Sequence, residues 1–95
     1  MSEIMPPNEF VMCIRKLMEE EMEAINSYQL KIERCPCELC KKVLTDIMNE
    51  EKKHVGELTF IIATLAPEES VLNAEGFEEA VNLAFNEEPE NTSLE

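Results

Sequence analysis

The segments EEMEAINSY, residues 20–28, and NEEKKHVGEL, residues 49–58, each place a carboxylate inside a stripe of apolar residues. At helical spacing, Glu21 shares one face with Phe10, Ile14, Leu17, Met18, Ala24, Ile25, Tyr28 and Ile32. Glu51 shares a second face with Val43, Leu44, Ile47, His54, Val55, Leu58 and Ile62. The periodicity therefore predicts two amphipathic helices that direct Glu21, Glu51 and His54 into a core.

The two stripes predict an all-α chain built on an antiparallel helical hairpin. The first helix is predicted to span residues 8–34 and the second residues 38–65. Cys35-Pro36-Cys37 forms the turn, because proline interrupts the helical hydrogen bonds and disfavours a helical residue before it. Helices joined by so short a connection pack as antiparallel neighbours.

The flanking segments complete one small domain. Residues 1–7 are predicted to be a disordered arm, and residues 87–95 a flexible acidic tail. Ala66-Pro67 predicts the end of the second helix, residues 68–73 a linker and residues 74–86 a short third helix. The helical domain is thus predicted to cover residues 8–86.

The charge of the chain excludes some partners. Eight basic and 21 acidic residues give a net charge of −13, which disfavours nucleic acids and anionic membranes but attracts divalent cations. No apolar run is long enough to cross a bilayer or act as a signal peptide, so we expect a cytoplasmic protein. Two helices bury little surface alone, so we also expect self-association.

The inward carboxylates predict a metal site. An ionised carboxylate in an apolar interior needs a proton, an ion pair or a cation, and both stripes are poor in Lys and Arg. Glu51 and His54 lie three residues apart on one helical face, where both can reach one cation. The alternative is a pair of partly exposed carboxylates, one of which satisfies a core histidine.

The ligand types favour iron at a shared centre. Carboxylate-bridged di-iron bundles use a Glu from each of two helices and a Glu-x-x-His from each of two others. This chain contains half of that set, so a two-fold homodimer would complete a four-helix bundle. Glu51 would then bridge two metals, with Glu21 and His54 as terminal ligands. Mixed oxygen and nitrogen ligands suit Fe(II), with Mn(II) or Zn(II) as substitutes.

Tyr28 lies two turns after Glu21 on the same predicted face. Its hydroxyl could hydrogen-bond a metal ligand, or its ring could donate an electron. The alternative is a core tyrosine whose hydroxyl is satisfied elsewhere.

The turn carries a second cluster, Cys35, Cys37 and Cys40, in the sequence CPCELC. A tetrahedral zinc or iron site needs four ligands, so one loop would require help from a second. A redox dithiol or disulfide and a set of reduced surface thiols are the other two interpretations. Cys13, beside the first stripe, is predicted to be a small buried hydrophobe.

The two quoted segments resemble the ferritin-like superfamily and are most similar to the encapsulated ferritins, whose subunits are two-helix half-ferritins. The resemblance covers about residues 8–85. It implies that Glu21, Glu51 and His54 form a ferroxidase centre across a dimer interface, oxidising Fe(II) to Fe(III). It also implies acidic entry residues at Glu20 and Glu23, a higher ring such as a decamer, and an encapsulin-type shell as the iron storage compartment.

Two other functions remain open at this point. One is a rubrerythrin-like peroxide reductase in which the cysteine loop passes electrons to the di-iron site. The other is a non-catalytic, metal-binding helical dimer that uses the loop to hold zinc or a partner.

Overall fold

Three helices make up the computed structural model, which describes residues 3–86 of the 95-residue chain. They are α1 (Pro7–Glu33), α2 (Glu38–Leu65) and α3 (Pro67–Phe85), and the described residues form no strand. The predicted all-α class is confirmed for this part of the chain. Association into a four-helix bundle stays a prediction.

Helix α1 begins and ends one residue earlier than predicted. Pro7 occupies its first turn, where the fixed φ of proline suits a helix and its missing N–H is not needed. Residues 3–6 are exposed and have no regular secondary structure. Residues 1–2 of the predicted arm and the whole predicted tail, residues 87–95, lie outside the described residues.

Helix α2 has the predicted bounds, and the α1–α2 connection makes the predicted antiparallel hairpin. Val11, near the start of α1, packs in one cluster with Ile62, near the end of α2. Ile14 joins the same cluster, and all three side chains are at most 8% exposed. The partly buried residues around them are Met18, Leu58, Ile61, Leu65 and Ala66.

Helix α3 corrects the predicted linker, because residues 68–73 are helical. Pro67 ends α2 but also starts α3, since proline is favoured in a first helical turn. Glu68 and Glu69 follow in that turn, where carboxylates complement the helix dipole. Ala66 is therefore the single residue between two long helices.

Much of the predicted core is uncovered in one chain. Phe10, Leu17 and Val43 were predicted to face inward, but they are 41%, 45% and 51% exposed. An apolar stripe spans roughly 100° or more of a helix, and a single partner helix covers only part of it. Met48, absent from the predicted stripe, is instead buried at 7% exposure.

Helix α3 adds little to this core. None of its residues is buried, although the Arg15–Glu69 ion pair connects it to α1. The radius of gyration is 18.4 Å, whereas a compact domain of this length has about 12 Å. The shape of the chain is therefore too extended for one self-contained core. Within residues 3–86, no helix has the length and apolar composition that a bilayer crossing requires.

Candidate metal centre

The packing of α1 on α2 brings Glu21, Glu51 and His54 together near the middle of the hairpin. His54 Nδ1 lies 3.4 Å from Glu21 Oε1 and 3.2 Å from Glu51 Oε1. One potential ligand atom from each residue lies within 4.8 Å of the other two. In the described part of the chain, no other group of three His, Cys, Asp or Glu residues meets this distance. The cluster predicted from sequence therefore exists as a geometric group.

The cluster lies at the edge of the hairpin. The side chains of Glu21 and Glu51 are 26% and 21% exposed, and that of His54 is 46% exposed. Glu51 and His54 are one helical turn apart on α2, while Glu21 approaches them from α1. The ligand atoms can consequently be reached from outside the chain, including by a second copy of it.

Hydrogen bonding sets the protonation of the metal-free cluster. A hydrogen bond between the two carboxyl groups raises the pKa of Glu21, with burial adding to the effect, and lowers the pKa of Glu51. Hydrogen bonds to Glu21 and then Glu51 raise the pKa of His54, against the opposing effect of burial. The two carboxylates thus favour the protonated form of His54, whose positive charge partly offsets theirs, as a bound cation would.

The His54 proton must leave before this side chain binds a metal, which gives a pH prediction. Below the raised pKa of His54, Nδ1 is protonated and has no lone pair to offer a metal ion placed between it and the carboxylates. We expect the affinity for Mn(II) to fall by about tenfold per pH unit below that pKa, for each proton displaced. Calorimetry in buffers of different ionisation enthalpy would count the released protons. An affinity and proton count that do not vary between about pH 5.5 and pH 8 would contradict this ligand set.

The other residues predicted around this site lie outside the cluster. Tyr28 is half-buried on α1. Glu20 and Glu23 are exposed on α1. Their roles in catalysis and metal entry stay predictions.

The cysteine loop lies at the end of the hairpin. Cys35, Cys37 and Cys40 are reduced, and within residues 3–86 they do not form a three-ligand group of the kind described above. A zinc or iron site at this loop would need donors from another loop and stays a prediction. The structure adds a role for Cys37 that the sequence analysis missed, because its side chain caps the N-terminus of α2. The signal was available, since Cys37 directly precedes the predicted helix start.

Two curated proteins resemble this chain. It is 35% identical over 75 residues to the "Ferritin-like-encapsulin shell fusion protein" of Pyrococcus furiosus, which covers 79% of this chain and 22% of that protein. It is 34% identical over 74 residues to the "Encapsulin nanocompartment cargo protein EncC" of Myxococcus xanthus, covering 78% of this chain and 57% of that protein. The chain is similar to encapsulin-associated proteins.

The extent of this similarity is limited. The chain spans about a fifth of one relative and just over half of the other. No protein-family model matches it, and no solved structure matches it significantly. The predicted resemblance to ferritin-like, encapsulin-associated proteins is thus supported, while membership of the ferritin-like superfamily stays a prediction.

Proposed function

We propose that the chain oxidises Fe(II) to Fe(III) at a di-iron centre that two copies build together. The observation that carries this proposal is the cluster of Glu21, Glu51 and His54, half-buried at mid-hairpin with its ligand atoms within 4.8 Å of one another. Two carboxylates and one imidazole form the mixed oxygen and nitrogen set that suits Fe(II). The name of one relative is ferritin-like, and both names describe encapsulin-associated proteins, which supports this proposal.

A second copy is needed because one chain offers only half of a di-iron ligand set. The exposed apolar residues Phe10, Leu17 and Val43 belong to the same stripes as Glu21 and Glu51. A two-fold partner that covered these side chains would also bring a second cluster against the first. Burial of the stripes and assembly of the centre would then be one event.

In this centre each ligand has a distinct task. Glu51 of each chain would be shared between the two ions, and Glu21 and His54 would each hold one of them. Each Fe(II) loses one electron, and O₂ takes up the two electrons and two protons to give hydrogen peroxide; peroxide, when it is the oxidant, is reduced to water. Because anionic oxygen ligands stabilise Fe(III) more than Fe(II), the four carboxylates favour the oxidised product.

The proposal includes a compartment. One relative is named as a fusion to an encapsulin shell and the other as encapsulin cargo. We therefore place this chain, as a dimer or a higher ring such as a decamer, inside an encapsulin-type shell. There it would supply Fe(III) for storage.

The distance between the two clusters excludes direct thiol–metal contact within one chain in the peroxide reductase alternative. Cys40 and Glu51 are eleven residues apart on α2, which corresponds to about 16 Å along the helix axis. A loop thiol therefore cannot contact a metal at Glu51 of the same chain. The non-catalytic dimer would use the cysteine loop as its binding site, so it gives no reason for Glu21, Glu51 and His54 to converge.

Titration of Fe(II) tests the proposal directly. Metal-free protein would receive Fe(II) without oxygen and then air, with ferric absorbance and oligomer mass recorded together. We expect fast oxidation that saturates at about one iron per chain, in a dimer or larger ring. Slow oxidation without saturation, or a monomer throughout, would refute a shared centre.

A further inference from the structure

The hairpin turn holds a second pair of reactive groups outside the metal centre. Cys37 is the capping residue of α2, in an extended conformation, and its Sγ accepts the Cys40 N–H at 3.3 Å. Cys37 and Cys40 are both exposed. The Cys35 thiol donates to the Cys37 carbonyl oxygen at 3.4 Å, so Cys35 is engaged with the backbone.

The surroundings of the two thiols shift their pKa values in opposite directions. Hydrogen bonds from the Cys40 thiol and then the Cys40 backbone N–H lower the pKa of Cys37. The same interaction raises the pKa of the Cys40 thiol to about 11. A thiolate held at a helix N-terminus is the usual nucleophile of a C-x-x-C pair, because backbone N–H groups stabilise its charge.

A groove of about 570 Å³ lies beside the loop. The thiol-bearing residues Cys35 and Cys40 line it together with the cationic residues Lys31 and Arg34. Cys37 does not line the groove itself, but it directly follows Pro36, which does. Residues 31–42 contain four of the chain's eight basic residues and two acidic ones, a local net charge of +2, although the net charge of the whole chain is −13. This end of an otherwise acidic molecule therefore suits a small ligand that carries carboxylates.

We propose that Cys37 and Cys40 form a thiol–disulfide exchange pair for small anionic disulfides, with Cys37 as the attacking group and Cys40 as the resolving group. The site is separate from the iron site and does not depend on the proposed iron chemistry.

The reaction balances with the disulfide as oxidant. Cys37 thiolate attacks one sulfur of R–S–S–R, forming a mixed disulfide and releasing R–S⁻. The Cys37 thiolate no longer raises the pKa of Cys40, so Cys40 loses its proton more readily. Cys40 then attacks Cys37 Sγ, which forms the Cys37–Cys40 disulfide and releases a second R–S⁻. The dithiol loses two electrons and two protons, and R–S–S–R becomes two R–SH.

The test uses the full chain, reduced and freed of metal, with glutathione disulfide as the probe. Mass spectrometry would follow the reaction and peptide mapping would locate the modified cysteines. We expect wild type to end as the Cys37–Cys40 disulfide and Cys40→Ser to stop as a mixed disulfide on Cys37. Cys37→Ser should react at least about tenfold more slowly. Cys13→Ser, altered far from the turn on α1, is the matched control and should react like wild type.

A second arm tests the groove. Arg34→Gln should slow the reaction with glutathione disulfide more than the reaction with cystamine, a cationic disulfide. Equal rates for wild type and Cys37→Ser, or modification mainly at Cys35, would overturn the proposal. Glu51→Gln, altered only at the iron site, should exchange thiols at the wild-type rate, so failure of the iron proposal would be recognised separately.

Discussion

Replacement of Glu51 by Gln is expected to slow Fe(II) oxidation by at least about a hundredfold. The change keeps the shape of the side chain but removes its charge, and a neutral amide is a poor bridge between two cations. A shared centre would lose both bridging groups at once, because each copy contributes one Glu51. The helices should persist, since Glu51 lies at the edge of the hairpin rather than among its buried apolar residues.

The adjacent residue provides a matched control. Glu50 has a 52% exposed side chain and pairs with Lys53 at 3.3 Å, so Glu50→Gln changes the net charge equally without touching the cluster. Stopped-flow absorbance at equal protein and iron concentrations would compare the two variants. Similar rates for Glu50→Gln and Glu51→Gln would show that general surface charge, and not this ligand, supports oxidation.

Leu17→Gln is expected to weaken dimerisation by at least about tenfold and to reduce oxidation at low protein concentration. Leu17 precedes Glu21 by one turn and is 45% exposed in the single chain. Fully burying an exposed leucine contributes about 1.5–3 kcal/mol. Covering the exposed 45% of Leu17 would contribute roughly half of that, and a two-fold interface would bury it twice. About 1.4 kcal/mol corresponds to a tenfold change in the dissociation constant.

Sedimentation and oxidation rates measured over the same dilution series would test this effect. Met12→Gln is the control, because Met12 is 63% exposed and lies about 180° around α1 from Glu21. High protein concentration should restore oxidation in Leu17→Gln, because its three ligands are intact. A monomeric variant that oxidises iron at the wild-type rate would show that one chain is sufficient.

The hairpin could be predicted because its determinants are local. Pro36 and Pro67 mark the two ends of α2, and the apolar period gives the helical state between them. The meeting of Glu21 with Glu51 and His54 follows from the same spacing once the helices are antiparallel. Proline is ambiguous, however, since it can both stop and start a helix. That ambiguity explains why the N-terminal third of α3 was predicted as a linker.

Other features depend on packing that a sequence pattern does not specify. Periodicity identified Leu17 and Val43 as apolar-face residues, but it does not tell whether the chain itself or a partner covers them. The contact of His54 Nδ1 with both carboxylates depends on how α1 and α2 are offset and rotated relative to each other. The raised pKa of His54 follows from that contact and could not be read from spacing alone.

The single residue between α2 and α3 has a mechanical consequence. Helix α3 has 19 residues and is therefore about 28 Å long, and none of its side chains is buried. Because Ala66 alone separates the two helices, a rotation of about 20° at this residue would displace the far end of α3 by about 10 Å. Phe77 and Phe85, 75% and 80% exposed, would move with that part of the helix. In the dimer or ring proposed above, we therefore expect contacts with a neighbouring copy to fix the positions of these two side chains.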